Sequence, residues 1–302
     1  MTTPALPYSR KEQWGWYMYD WANSAFYTTV VTLFLGPYLT SLAKSAADAN
    51  GSIFPFGIQI DHRSFWGYVV GISVFTQVIF LPLIGALADF SHRKKFLLAA
   101  TAYLGSAATL AMFFLQGETY LAGGLLFLIS NLALGASIVV YNSFLSDIAA
   151  PEDRDAVSSK GFGFGYLGGG LLLALNLGLY SNAEKFGVTE GMAVRISLAS
   201  AGVWWALFTV PALIRLRNRA PARVNLSGQS VLTVGFTQLF RTLAHLRGFP
   251  QTLLFLSAYL LYNDAIQTVI SLASQFGNDE LKIPLSTLTL AILMVQFVAF
   301  FG

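Results

Sequence analysis

Two acidic residues lie inside long apolar stretches of the sequence, where an ionisable side chain is costly. Asp20 belongs to the run that begins at Trp14, and Asp264 belongs to the run that begins at Phe249. If these runs cross a bilayer, each carboxylate must face the protein interior or a water-filled cavity. Such a carboxylate can bind a solute, carry a proton, or hold neighbouring helices together through hydrogen bonds.

Other polar side chains recur around both carboxylates at the spacing of a helix face. One stripe follows the first run, at positions i, i+4, i+7 and i+11, and a second group surrounds Asp264. Asn142 lies eleven residues after Asn131 and shares its helix face. We therefore predict a substrate cavity or gate formed by Asp20, Asn23, Tyr27, Asn142, Asn263, Asp264 and Gln267, with Trp16 completing the first stripe.

The two carboxylates differ in depth. Asp20 follows Trp14 by only six residues, which is about 9 Å along a helix. Asp264 lies much deeper in its run. We therefore expect Asp20 to act near one membrane surface, as a gate, and Asp264 to line the cavity. Interhelical hydrogen bonds alone remain an open alternative for both residues.

The composition excludes most soluble enzymes. The chain has 302 residues, of which 55% are hydrophobic and only 11% are charged, whereas soluble domains carry about 25% charged residues. There is no cysteine, and the three histidines lie far apart without a paired carboxylate. We expect no metal site, no cofactor, no catalytic activity and no nucleic-acid binding; the histidines are His62, His92 and His245.

Apolar runs of about 20 residues predict the membrane-spanning helices. An eighth run starts near Leu285 and is unfinished at Gly302, so we expect a chain truncated after about helix 8. The fold class is therefore all-α and polytopic. The seven complete runs are Trp14–Leu42, Phe65–Asp89, Phe96–Gln116, Tyr120–Ser146, Val157–Ser181, Ala193–Leu216 and Phe249–Gln275.

Lysine and arginine are distributed unequally between alternate loops. Of the 18 in the chain, all but five fall on the side that carries the N-terminus, which predicts a cytoplasmic N-terminus. The five on the other side are Lys44, Arg63, Lys185, Arg195 and Lys282.

A polar and basic segment separates the first six helices from the rest. It contains a possible amphipathic helix between Leu232 and Leu246, which would lie on the inner leaflet or pack against the bundle. We predict a six-helix bundle over 1–216, a basic cytoplasmic linker over 217–248, and the start of a second bundle over 249–302. This layout is typical of transporters built from two parallel repeats.

The loop after helix 2 carries a recognisable motif, Gly-Ala-Leu-Ala-Asp-Phe-Ser-His-Arg-Lys-Lys from position 85. It resembles the loop motif of the major facilitator superfamily at Gly85, Leu87, Ala88, Asp89, Arg93 and Lys94, whereas Phe90 and His92 depart from it. We expect Gly85 to permit close helix packing, and Asp89, Arg93 and Lys94 to form a cytoplasmic gate whose contacts break during transport.

Two further patterns lie on helices 4 and 5. Asp147 ends helix 4 and Arg154 begins helix 5, which predicts a supporting ion pair between them. Helix 5 also carries Gly161, Gly165 and Gly169, a four-residue spacing that lets helix backbones approach closely.

Three stretches narrow the resemblance further. They are Tyr-Asp-Trp-Ala-Asn-Ser from position 19, Asn-Ser-Phe-Leu-Ser-Asp from position 142, and Leu-Tyr-Asn-Asp from position 261. Together they resemble the UMF1 family, which is related to the fungal vacuolar amino-acid effluxer of autophagy. This resemblance implies a major facilitator fold of twelve helices, of which this chain holds an N-terminal six-helix bundle and an incomplete C-terminal bundle.

These observations predict a secondary active transporter that moves a small solute, with amino acids as candidates, by alternating access. Its expected partners are the solute, a coupling proton and the lipid bilayer. The expected location is a bacterial cytoplasmic (inner) membrane, with several membrane passes. Two alternatives remain open: a non-transporting membrane receptor or assembly protein, and an inactive fragment of a permease.

Overall fold

The structure, a computed structural model, describes residues 8–219, 237, 241 and 244–301. Seven helices in this part of the chain are long and apolar enough to cross a membrane, and an eighth is shorter. This confirms the predicted all-α polytopic fold. In chain order the helices are α1 (Arg10–Ser45), α2 (Phe65–Phe90), α3 (Lys94–Ala111), α4 (Tyr120–Ser143), α5 (Arg154–Ser181), α6 (Glu190–Arg215), α7 (Pro250–Asp279) and α8 (Leu285–Phe301).

The helix ends lie within a few residues of the predicted ones. Helix α6 begins earlier than predicted because Thr189 caps it, its hydroxyl accepting a hydrogen bond from the Met192 N–H at 3.2 Å. A short antiparallel hairpin, β1 (Ser52–Ile53) and β2 (Ile60–Asp61), connects α1 to α2. The predicted amphipathic helix falls largely on residues 232–236, 238–240 and 242–243, which lie outside the described residues.

Two faces of the helix bundle are used as landmarks below. The near face is the one at which α1 begins, and the far face is the one at which α1 ends at Ser45. Because successive helices run in opposite directions, α7 begins at the near face with Pro250 and ends at the far face with Asp279.

Helix α1 is not a regular α-helix along its whole length. Residues Phe26–Phe34 are π-helical, and the N–H of Leu35 bonds the carbonyl of Val30, five residues earlier. The apolar periodicity of the sequence gave no sign of this segment. A π-helical segment changes the register of the helix, so residues before and after it face different neighbours.

Helix α1 is the centre of the bundle and packs against α5 and α6. On the α5 side the contact depends on glycine. A Cβ atom at Gly161 would lie 2.5 Å from the ring of Trp16, and one at Gly168 would lie 2.6 Å from the Trp21 carbonyl oxygen. The structure thus confirms the close packing that the glycine spacing predicts.

The remaining helices surround this centre. Helix α4 packs against α2 and α3, and α3 also packs against α6. Trp205 of α6 is completely buried and fits against Gly105 of α3, where a Cβ would lie only 2.3 Å from its ring. Helix α8 runs along α5, and α7 contacts the π-helical segment and the far end of α1.

A buried ion pair joins the near ends of α3 and α4. Lys94 is only 3% exposed, and its Nζ donates hydrogen bonds to the Asp147 carboxylate at 3.0 Å and to the Ser143 carbonyl at 3.2 Å. The predicted partner of Asp147 was Arg154, and the structure corrects this. Lys94 donates both to Asp147 and to the Ser143 carbonyl at the end of α4. The Nε of Arg154, in contrast, is buried without a hydrogen bond to any described residue.

A second ion pair at the near face ties the chain after α6 to α1. Glu12 is 1% exposed, and both of its carboxylate oxygens accept hydrogen bonds from Arg219 at 3.1 Å. The neighbouring Asn218 accepts a hydrogen bond from the Lys95 N–H at the start of α3, at 3.0 Å. Such a two-pronged arginine–carboxylate bond fixes both groups in position.

The glycine contact predicts a specific loss of stability. Gly168→Ala should destabilise the protein by about 1–3 kcal/mol, because the new methyl group meets backbone atoms of Trp21 that cannot rotate away. The measurement is the midpoint of thermal unfolding of the full-length protein in detergent. Gly178→Ala on the same helix is the control, since no heavy atom lies within 4 Å of its Cβ position. Equal midpoints for the two variants would contradict the packing described above.

The Lys94–Asp147 pair predicts strong coupling between two substitutions. Asp147→Asn alone should lower stability by about 3 kcal/mol or more, because it leaves the buried Lys94 ammonium without its counter-charge. The double variant Lys94→Met with Asp147→Asn should recover much of that loss. Lys95→Met, at the neighbouring half-buried lysine, should change stability little. If the change in thermal midpoint of the double variant equals the sum of the changes in the two single variants, the two residues do not form a pair.

Candidate functional site

A cavity of about 570 Å³ lies between α1, α2, α4 and α7. Its size is within the range of pockets that hold small molecules. Helix α7 supplies the largest share of its polar groups. The lining residues are Tyr27, Val31, Gly67, Val70, Gly71, Val74, Gln77, Phe127, Asn131, Leu260, Asn263, Asp264, Gln267, Thr268, Ser271 and Leu272.

The wall formed by α7 carries the only acidic group of the lining. Asp264 is exposed to the cavity and makes no hydrogen bond or ion pair with any described residue. Asn263, Gln267 and Thr268 lie beside it on the same wall. No lysine or arginine is among the lining residues. The described wall therefore presents a carboxylate and amide groups, a set that suits a positively charged group with further hydrogen-bonding capacity.

The opposite wall holds an ordered polar chain. The Asn131 side chain donates to the Ser73 hydroxyl at 2.8 Å, and Gln77 donates to the Asn131 carbonyl at 3.1 Å. Gln77 was not among the predicted cavity residues, although a glutamine in the middle of an apolar run is a visible signal. Asn131 reaches the cavity, whereas Asn142, predicted on the same helix face, lies exposed and outside the lining.

Two glycines of α2 keep the cavity open. Gly67 and Gly71 line it at a spacing of one helical turn, and a Cβ atom at either would have no heavy atom within 4 Å. These glycines therefore leave volume free, unlike the α5 glycines, which permit helix contact. Phe127 and Val31 supply apolar surface next to this space.

The predicted stripe on α1 is divided between two places. Tyr27, inside the π-helical segment, lines the cavity. Asn23 is buried and donates to the Tyr19 carbonyl at 2.8 Å and more weakly to the Asp20 carboxylate at 3.5 Å. Trp16 is buried against Tyr141. The stripe residues before Phe26 are thus packed inside the bundle, and Tyr27 alone of the stripe is among the cavity-lining residues.

Asp20 faces the near half of α5 rather than the cavity. One of its carboxylate oxygens would lie 3.0 Å from a Cβ at Gly161. The Tyr141 hydroxyl is buried next to the Asp20 carboxylate and interacts with it. The structure thus does not bring Asp20 and Asp264 into one lining.

The loop motif lies at the near face, away from the cavity. Arg93 is exposed, and its N–H donates to the Ser91 hydroxyl at 2.9 Å, while Asp89 is half-buried. A Cβ at Gly85 would lie 3.6 Å from Val139, an ordinary contact distance. Close packing therefore does not explain Gly85 in this conformation, contrary to the sequence-based expectation.

Comparisons with known proteins agree with this architecture. A sequence model of the family described as vacuole effluxer Atg22-like matches residues 8–154 and 146–302. An uncharacterised MFS-type transporter, YxiO, from Bacillus subtilis is 29% identical over 293 residues, covering 96% of this chain and 65% of the relative. Autophagy-related protein 22 of Neurospora crassa is 27% identical over 370 residues, covering 91% of this chain and 50% of the relative.

A further relative and the structural search complete the comparison. Autophagy-related protein 22 of Pyricularia oryzae is 28% identical, covering 91% of this chain and 53% of the relative. No solved structure matches the chain. The chain spans between half and two thirds of the length of these relatives. Because the family match extends over nearly the whole chain, this multi-pass membrane protein belongs to the Atg22-like family of the MFS type.

Proposed function

We propose that this chain is the larger part of a secondary active transporter that moves a small solute of the amino-acid type by alternating access. The observation that carries the proposal is the Asp264 carboxylate, which faces a cavity of suitable size without a partner among the described residues. An unpaired carboxylate inside a membrane protein is costly and is kept where it binds a solute or an ion. The name of the fungal relatives' family, vacuole effluxer, supports the same class of activity.

The proposed binding mode uses the polar groups of α7. The solute's ammonium group binds Asp264, and the amides of Asn263 and Gln267 receive its remaining polar atoms. Tyr27 and the polar chain of α2 and α4 face the solute from the other side. A solute carboxylate would need a positively charged partner, which the described lining does not supply.

Asp20 is proposed to have a separate role in coupling. Its carboxylate lies between α1, α4 and α5, next to the buried Tyr141 hydroxyl and Asn23. No described cation pairs with it. Binding and release of a proton at Asp20 would change the charge of the interface between α1 and α5, which transport must rearrange. The coupling proton can also pass through Asp264 itself.

We propose the wider architecture from the order of the helices and the distribution of basic residues. Residues 1–216 form the first bundle, 217–248 a basic cytoplasmic linker, and 249–302 the start of the second bundle. Gly85, Asp89, Arg93 and Lys94 form the near-face gate, with Asp147 supporting it through Lys94. We propose that the near face is cytoplasmic, because most of the lysines and arginines fall on that side, and that the protein lies in a bacterial cytoplasmic membrane, which the bacterial relative supports.

The direct test is uptake by the full-length protein in proteoliposomes with an imposed proton gradient, using a mixture of radiolabelled amino acids. Asp264→Asn should reduce uptake at least tenfold, because a neutral amide cannot pair with an ammonium group. The amount of protein and its thermal midpoint should not change. The control is Glu118→Gln, which alters an exposed loop carboxylate and should leave uptake intact.

Two outcomes would count against this function. Full uptake by Asp264→Asn would remove the carboxylate from solute binding. A well-folded wild-type protein that takes up no amino acid under any gradient would instead favour a receptor or assembly role.

A further inference from the structure

The hairpin between α1 and α2 exposes an apolar tip at the far face. Three large apolar side chains of the tip have little contact with the described protein: Phe54 is 52% exposed, Phe56 is 94% exposed and Ile58 is 65% exposed. No charged residue lies between Asp48 and Asp61 in the sequence. An exposed cluster of apolar side chains marks a surface that meets another apolar surface.

The base of the hairpin is firmly held. Ile53 is 1% exposed, belongs to the buried core and pairs with Ile60 across the two strands. The Asp48 carboxylate accepts hydrogen bonds from the N–H groups of Asn50 at 2.9 Å and of Ser52 at 2.8 Å. The tip is therefore presented on a fixed base.

The backbone of the tip is strained at Phe56. Its φ is 52° and its ψ is 28°, in the left-handed region that a bulky side chain rarely adopts. Glycine or asparagine would take this conformation at a lower cost. Because the Phe56 ring is almost fully exposed, packing within the described protein does not offset that cost. Burial of the ring in a surface outside the protein would offset it.

The backbone of the tip is also suited to an apolar surrounding. The Gly57 N–H donates to the Phe54 carbonyl at 3.2 Å, and the Ile58 N–H donates to the Pro55 carbonyl at 3.1 Å. Pro55 itself has no N–H to satisfy. An unpaired N–H group is costly in a lipid layer, and the tip has bonded two of its donors internally.

The position of the tip selects the bilayer as the surface that it meets. The helices on either side of the hairpin, α1 and α2, are both long and apolar enough to cross a membrane. Phe56 follows the buried Ile53 by three residues, so it lies at most about 10 Å from a residue of the core. The headgroup zone on each side of a bilayer is about 5–8 Å thick. The tip is therefore within reach of the leaflet at the far face.

The charges near the tip lie beside it and do not interrupt it. Asp61 and Arg63 form an exposed ion pair at 3.2 Å, just after the second strand. An apolar tip above a polar base is the pattern of a segment that lies in the interface, with its apolar side chains at the boundary of the acyl chains.

We propose that Phe54, Phe56 and Ile58 insert into the leaflet at the far face and anchor the connected ends of α1 and α2 to the membrane. The tip carries no charge, so its binding depends on apolar area and needs no anionic lipid. This anchoring is separate from the proposed transport and does not depend on it.

The absence of cysteine from the chain permits a direct test. A fluorophore is attached to a single Phe54→Cys substitution in the full-length protein, which is placed in vesicles of neutral phosphatidylcholine. Nitroxide groups near the headgroup end of the acyl chains should quench this label strongly, and iodide added on the far side should quench it weakly. Asn50→Cys, exposed in the polar turn of the same hairpin, is the control and should show the opposite preference.

A second variant tests the role of the Phe56 ring. Phe56→Asn, added to the labelled protein, keeps a residue that accepts the left-handed backbone and removes the apolar ring. Quenching by the lipid nitroxide should fall about threefold, while the thermal midpoint in detergent should stay the same or rise. A lowered midpoint would show that the ring packs within the protein, and would contradict the proposal.

Three results would overturn the anchor. Iodide quenching at the tip as strong as at Asn50 would place the tip in water. Weak quenching by both agents would show that protein covers the tip, either the rest of the chain or a second copy. Quenching by the lipid nitroxide that appears only when anionic lipid is added would reject a neutral anchor. The label reports without any solute, so these results are independent of whether the protein takes up amino acids.

Discussion

A polar group placed in hydrocarbon must find its partner within the protein, and the structure is organised around this constraint. Lys94 has Asp147, Glu12 has Arg219, and the Trp16 indole N–H donates to the Tyr141 carbonyl at 3.0 Å. Each of these bonds joins two elements that are distant in the sequence. Together with the glycine contact between α1 and α5, these bonds join the helices in this conformation. Such specific contacts matter because lipid is as apolar as the helix surfaces, so burial of apolar surface does little to bring helices together.

The same constraint distinguishes polar groups that have a partner from polar groups that have none. The buried pairs are complete, and each has a partner of fixed geometry. Asp264 has none among the described residues and faces an open cavity. The contacts of Ser274 and Gln275 fall between these cases, because they are complete in this conformation but join a helix whose other half is exposed. Polar groups therefore differ here in their pairing: some are bonded between helices, and Asp264 faces the cavity without a partner among the described residues.

The helices and the family were predictable because long apolar runs and a loop motif are local features of the sequence. The glycine face of α5 was also predictable, since its four-residue spacing needs no knowledge of the partner helix. The partners of the buried polar side chains were not predictable. Asp147 selects Lys94 over Arg154 through the relative position of two helices, which no spacing along the chain encodes.

The candidate site was predicted only in part, again because spacing along the chain does not encode the relative position of helices. Asn263, Asp264, Gln267 and Tyr27 share one cavity, as regular helical spacing led us to expect. Asn23 and Asp20 lie outside it, because that part of α1 packs against α4 and α5, and the sequence does not show which helices are neighbours. Pro37 is visible in the sequence, and its missing N–H leaves the Leu33 carbonyl without its α-helical donor. The Ser274 hydroxyl donates to this carbonyl instead, from a position far away along the chain.

The proposed transport requires α7 to move relative to the far ends of α1 and α2, because alternating access rocks one half of the protein against the other. Spin labels at Asn50→Cys and Glu280→Cys, both exposed at the far face, would report this movement through electron–electron distance measurements in the full-length protein. We predict two distances, a shorter one for the conformation described above and a longer one whose population changes when a mixture of amino acids is added. A single distance that no amino acid and no change of pH alters would contradict the account.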